Sequence, residues 1–128
     1  MSKEAIRTEK APAPFQGAPY SQAIVHGDLV FVSGQLGIDP ATNEVVPGGV
    51  AAQTERALEN VRAILEEAGS SLANVLQASI FLIDLQDFSA MNEVYARQLG
   101  EVFPARATVQ ISALPSGARI EIAVVAHR

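Results

Sequence analysis

Residues 50–68, VAAQTERALENVRAILEEA, decide the fold class of this chain. Val50, Thr54, Ala57, Leu58, Val61, Ile64, Leu65 and Ala68 recur at steps of three and four, which lines them up on one stripe of an α-helix. Glu59, Arg62 and Glu66 fall on the other face and solvate it. Gly69 stands where a left-handed C-cap ends the helix.

Strand-like segments surround this helix. Downstream, Val75–Ile83 reads as a strand. Asp84, with Asp87 three residues on, caps a second helix over Leu85–Leu99 that Gly100 closes. Two further strands, Ala105–Ser112 and Ala118–Ala126, flank the loop Ala113-Leu114-Pro115-Ser116-Gly117. Upstream, Ala5–Thr8 is a short strand and Lys10–Gly17, with Pro12 and Pro14, an irregular connector. Gln22–His26 and Leu29–Ser33 pair through a tight turn at His26-Gly27-Asp28, and Asp39–Gly49 is a long loop with room for a minor hairpin.

The order β-β-β-α-β-α-β-β describes an α/β fold: a two-layer sandwich of mixed strand directions, one domain over residues 1–128. Two helices side by side cover roughly 20 Å, whereas five or six strands span roughly 25–29 Å, so both helices serve one face of the sheet. Yet Ala123 and Val125 alternate with Ile120, Ile122 and Val124, which makes the strands apolar on both faces. A second copy of the chain is the simplest cover for the other face, so the sequence predicts a homo-oligomer.

Composition removes several classes of function. The chain has no Cys, which excludes disulfides, thiolate metal sites and cysteine nucleophiles. Its two His, His26 and His127, are far apart, so no metal site is expected. Nine basic against fourteen acidic side chains leave a net charge of −5 with no basic cluster, a poor match for nucleic acid. Residues 1–10 are polar and no apolar run approaches a bilayer span, so the expected setting is cytoplasmic and no membrane partner is expected.

Three polar residues sit where packing alone would not put them. Asn92 falls on the apolar stripe of the second helix, among Phe88, Met91, Tyr95 and Leu99. It either ties down a neighbouring loop or serves a site, because a buried amide left unpaired costs roughly 1–3 kcal/mol. Arg106 shares a strand face with Thr108 and Gln110, and Glu121 lies opposite Ile120 and Ile122. If the apolar residues of both strands face the helices, Arg106 and Glu121 project together onto the other face. There they form either an intersubunit salt bridge or a binding site. An Arg fork suits a small carboxylate, and a nearby Glu can act on water as a general base.

Several motifs carry a more specific message. Gly17-Ala18-Pro19-Tyr20-Ser21-Gln22-Ala23 followed by Val32-Ser33-Gly34-Gln35 resembles the N-terminal half of the Rid (reactive intermediate deaminase) family. Asp84-Leu85-Gln86-Asp87-Phe88 with Met91-Asn92-Glu93-Val94-Tyr95 is similar to its second helix. Phe103-Pro104-Ala105-Arg106-Ala107-Thr108-Val109, then Leu114-Pro115 through Ile120-Glu121-Ile122, is similar to its closing strands. The likeness runs in order from about Ile6 to Ala126. It is nearest to the RidA subfamily, the 2-iminobutanoate/2-iminopropanoate deaminases.

That resemblance implies a chorismate-mutase-like fold in a homotrimer with sites between subunits. The implied reaction is cofactor-free hydrolysis of small 2-imino acids, or their enamine forms, to 2-oxo acids and ammonia. By position, Arg106 would bind the substrate carboxylate and Glu121 would orient or activate water. Tyr20, Ser33, Gly34, Asn92 and Thr108 would line the pocket. Thr108 replaces the Cys of many family members, and Ala107 and the Ser116-Gly117 loop vary the rim. An imine is already electrophilic, so holding it and aiming one water suffices, and no covalent nucleophile is needed.

Other readings remain at this level. One is a Rid relative acting on another enamine acid such as aminoacrylate. A second is a non-catalytic module that binds 2-oxo acids at the same Arg. The nuclease activity also attached to this family's name is opposed by the −5 charge.

Overall fold

The helix read from residues 50–68 is α1, Gly49–Glu67, in the computed structural model, which describes residues 2–128. Its stripe is buried, with Ala57, Leu58, Val61, Ile64 and Leu65 fully enclosed. Gly69 ends it at φ 81° as a Schellman cap: its N–H donates to the Glu66 carbonyl (3.1 Å) and the Ser70 N–H to that of Leu65 (2.8 Å). Among the described residues, no helix is long and apolar enough to cross a membrane.

Before α1 lie β1 (Glu4–Ile6), β2 (Ala23–His26), β3 (Leu29–Leu36) and a minor hairpin of β4 (Ile38–Asp39) and β5 (Glu44–Val45). After it come β6 (Val75–Leu82), α2 (Phe88–Leu99), β7 (Ala105–Gln110) and β8 (Ile120–His127). The second helix starts later than its sequence pattern suggests. Asp84 caps a single 3-10 turn, Leu85–Asp87, accepting from the Gln86 N–H at 2.9 Å, and α2 follows from Phe88.

Six strands form one sheet in the order β1-β2-β3-β8-β6-β7, and only β6 and β7 pair in parallel. Since β8 runs antiparallel to both neighbours, β3 and β6 point the same way. The connections β3 to β6 and β6 to β7 are therefore both helical crossovers stepping in one direction along the sheet. Crossovers of one hand that step in one direction place their helices on one face. The expected two-layer sandwich follows, with the core between the helices and Val30, Ala78, Ile80, Ile120 and Ile122.

The opposite sheet face is left bare. Leu29, Phe31 and Val109 are 38%, 45% and 45% exposed there, beside half-buried Phe81, Ala123 and Val125.

The two closing strands do not turn the same set of residues to the helices, contrary to the sequence expectation. The apolar residues of β8 do face the helices, but those of β7 do not. Parallel pairing sets Arg106 beside Ala78 and Thr108 beside Ile80, on the helix side, and turns Ala107 and Val109 outward. As an edge strand, β7 is only partly roofed by α2, so a guanidinium can enter this layer without losing all of its solvent. Arg106 and Glu121 therefore do not share a face.

Candidate functional site

The residues singled out from sequence divide between two cavities. The larger, about 860 Å³, opens beside β3 and includes Tyr20, Ser33, Gly34 and Glu121 in its wall. The smaller, about 340 Å³, lies at the β7 edge against α2 and includes Asn92 and Arg106. Thr108 shares the strand face of Arg106 but lines neither cavity.

The wall of the larger cavity is held in place from behind by Gln22, whose position at the start of a strand-like segment gives no local sign of this role. Its buried amide accepts from the Thr8 N–H (2.7 Å) and donates to the carbonyls of Thr8 (3.0 Å), Ala11 (3.3 Å) and Pro12 (2.8 Å). Those bonds hold the Pro-rich connector against the sheet. The connector ends in a tight turn with Gln16 at φ 52° and Gly17 at φ 68°. A matching turn across the cavity has Ser116 at φ 59° and Gly117 at φ 70°. Left-handed non-glycine residues are uncommon, and three of them, Gln16, Asn43 at φ 60° and Ser116, line this cavity.

Inside it, the Tyr20 hydroxyl accepts from the Phe15 N–H at 2.7 Å, which leaves its own proton free for another acceptor. Ser33 donates its hydroxyl to the Ser21 carbonyl at 2.6 Å and keeps its lone pairs available. Glu121 makes no ion pair among the described residues, and burial pushes its carboxyl above the ordinary value of 4.5. Among the described residues, no other charged side chain lines this cavity.

Around the smaller cavity, the Arg106 guanidinium lies 4.8 Å from the ring centroid of Tyr95 and 5.5 Å from that of Phe88. Cation–π attraction to both rings steadies a charge that has no carboxylate partner among the described residues. Asn92 Oδ1, the Tyr95 hydroxyl and the Thr108 hydroxyl are buried here without a hydrogen-bond partner. The loop-tying alternative for Asn92 thus finds no bond to support it. Burial raises the Tyr95 pKa above 10.0, and the Arg106 charge partly opposes that. Sequence spacing marked Tyr95 and Phe88 as core. Their service to Arg106 depends on how α2 lies across β7, which no local pattern encodes.

Glu121 pairs with Phe81, which also pairs with Val109, so it sits two strands across and three residues along from Arg106. That corresponds to about 14 Å between their backbones, with the side chains on opposite faces. One chain cannot bring them to a common small molecule. Among the described residues, no group of His, Cys, Asp and Glu could hold a metal ion.

Comparison with known proteins agrees with the motifs. The sequence model of the family described as endoribonuclease L-PSP matches residues 8–128. A RutC family protein of Pyrococcus abyssi is 51% identical over 128 residues, covering 100% of this chain and 99% of that protein. A 2-iminobutanoate/2-iminopropanoate deaminase of Bos taurus is 46% identical over 126 residues, 98% of this chain and 90% of that one. Among solved structures, RidA of an Antarctic Psychrobacter superposes with a TM-score of 0.93 at 46% identity, covering 98% of this chain and 99% of that one. The chain belongs to the L-PSP family, the Rid family whose motifs it carries from Tyr20 to Glu121.

Proposed function

We propose that this chain is a 2-iminobutanoate/2-iminopropanoate deaminase, hydrolysing short 2-imino acids to 2-oxo acids and ammonia. Its active form is a homotrimer, with the Arg106 cavity of one copy closed by the Glu121 cavity of the next. The observation that carries this reading is the division of the site: an unpaired cation with orphaned polar atoms on one face, and an unpaired carboxyl in a cleft on the other. The bare apolar face of the sheet supplies the surface on which copies associate. The Bos taurus relative, named for this activity, supports the choice of reaction.

The chemistry follows from the groups present. Arg106 holds the substrate carboxylate with two parallel N–H donors, already oriented by Tyr95 and Phe88. Glu121 takes a proton from water as the oxygen adds to C2 of the protonated imine, giving a neutral carbinolamine. It then returns that proton to nitrogen and, as the C–N bond breaks, accepts the hydroxyl proton. Ammonia and the 2-oxo acid leave, and the proton passes on to ammonia as ammonium. A carboxyl whose pKa is raised toward neutrality suits both directions of that transfer. Tyr20 and Ser33 supply the donor and acceptor that hold water and substrate.

The test is to generate 2-iminobutanoate with a threonine dehydratase and follow its decay by semicarbazide trapping, with wild type and with Arg106→Ala. Wild type is expected to speed imine loss, and the variant, still assembled, is expected not to. No acceleration by assembled wild type would remove the deaminase reading. Tight binding of 2-oxobutanoate would then point to a metabolite-binding module.

A further inference from the structure

We propose that Gly34 is a positioning residue, which fixes the Glu121 carboxyl by leaving the space that this carboxyl occupies. The role rests on the reading of Glu121 as the group that directs water. Strand β3 carries a bulge here: Val32 pairs with Val124 and Gln35 with Ile122, so Ser33 and Gly34 together oppose Ala123. The extra residue bends the strand and brings the backbone of Gly34 over the Glu121 side chain. A Cβ on Gly34 would lie 2.6 Å from Glu121 Cδ, 2.7 Å from Oε2 and 2.9 Å from Cγ.

Conformation does not explain the glycine. Gly34 is absent from the positive-φ glycines, so its backbone suits any residue, and what excludes a side chain is the carboxyl itself. Gly37, three residues on, makes the instructive contrast. A Cβ there would lie 2.6 Å from Gln53 Cα and 2.7 Å from its carbonyl oxygen, the backbone of α1, which cannot yield. At Gly34 the obstacle is the end of a flexible side chain, which can swing away while the fold survives. Bulge and glycine together therefore act on the placement of one carboxyl rather than on packing. Among the described residues, Tyr20 is the only other titratable group lining that cavity.

The experiment combines hydrolysis rates with a ¹³C NMR titration of the Glu121 carboxyl, in wild type, Gly34→Ala, Glu121→Gln and the double variant. Gly34→Ala is expected to fold and to lose up to about 100-fold in rate at saturating substrate, the scale of a misplacement near 1 Å. Its Glu121 midpoint is expected to fall toward 4.5 as the carboxyl moves into solvent. The double variant is expected to be no slower than Glu121→Gln alone, because Gly34 acts through that side chain. Multiplying losses, or an unchanged midpoint, would overturn the proposal. If Gly34→Ala fails to fold, Gly34→Ala/Glu121→Ala decides: restored folding supports the contact, and equal instability overturns it. If wild type hydrolyses no imine, the proposed function falls, and the titration still judges the Gly34–Glu121 contact by itself.

Discussion

Arg106 and Glu121 project from opposite faces of the same sheet, two strands apart. Arg106 lies against the rings of α2, and Glu121 lies in the cleft beside β3. Any small substrate touched by both must therefore lie between two copies of the chain. The Arg106→Ala and Glu121→Ala variants are each expected to be inactive on their own. Unfolding the two together and refolding them as mixed oligomers should restore about a quarter of wild-type activity, since one interface in four would join two intact half-sites. An inactive mixture with confirmed subunit exchange would mean that the site lies within one chain.

The raised pKa of Glu121 gives two signatures of opposite sign. In its proposed role as a base it must be ionised, so deaminase activity is expected to fall on an acid limb centred above 4.5, and Glu121→Gln should lose that limb along with most of its rate. For stability, burial favours the protonated form, so its contribution is full below the unfolded-state pKa and is lost as pH rises through the folded one. Glu121→Gln should therefore melt above wild type at neutral pH, with the gap closing below 4.5. Because the group is only half-buried, the gain should be small. Calorimetry across this range checks the sign.

Phe88 presents its ring to Arg106 at 5.5 Å while remaining 40% exposed, so its replacement separates orientation from packing. Phe88→Leu is expected to weaken 2-oxobutanoate binding by about 2- to 5-fold, the size of an exposed cation–π contact. The melting temperature should barely change. Titration calorimetry and a thermal melt on the same sample measure both.

Gln22 carries four hydrogen bonds on one buried amide. Gln22→Leu would leave the Thr8 N–H and the carbonyls of Thr8, Ala11 and Pro12 without that partner and should cost about 2–3 kcal/mol in chemical denaturation. Amide exchange should rise at Thr8, whose N–H loses its acceptor, and leave α1 protected.

Local physics determined much of this protein. Three- and four-residue spacing placed α1, Gly69 stopped it, and period-two alternation with turn residues marked the strands and the β2–β3 hairpin. The motifs around Tyr20, Ser33, Asn92, Arg106 and Glu121 pointed to the family from sequence alone. The direction each strand face takes was decided elsewhere. Alternation divides a strand into two sets without saying which set meets the core, and in β7 it is the polar set, not the apolar one, that does so. Its register against β6, and the rings that α2 offers to a cation at the sheet edge, turn Arg106 inward. Equally hidden were the reach of Gln22 to a connector ten or more residues away and the bulge that sets Gly34 against Glu121. Both arise when distant backbone segments meet, and only the folded chain brings them together.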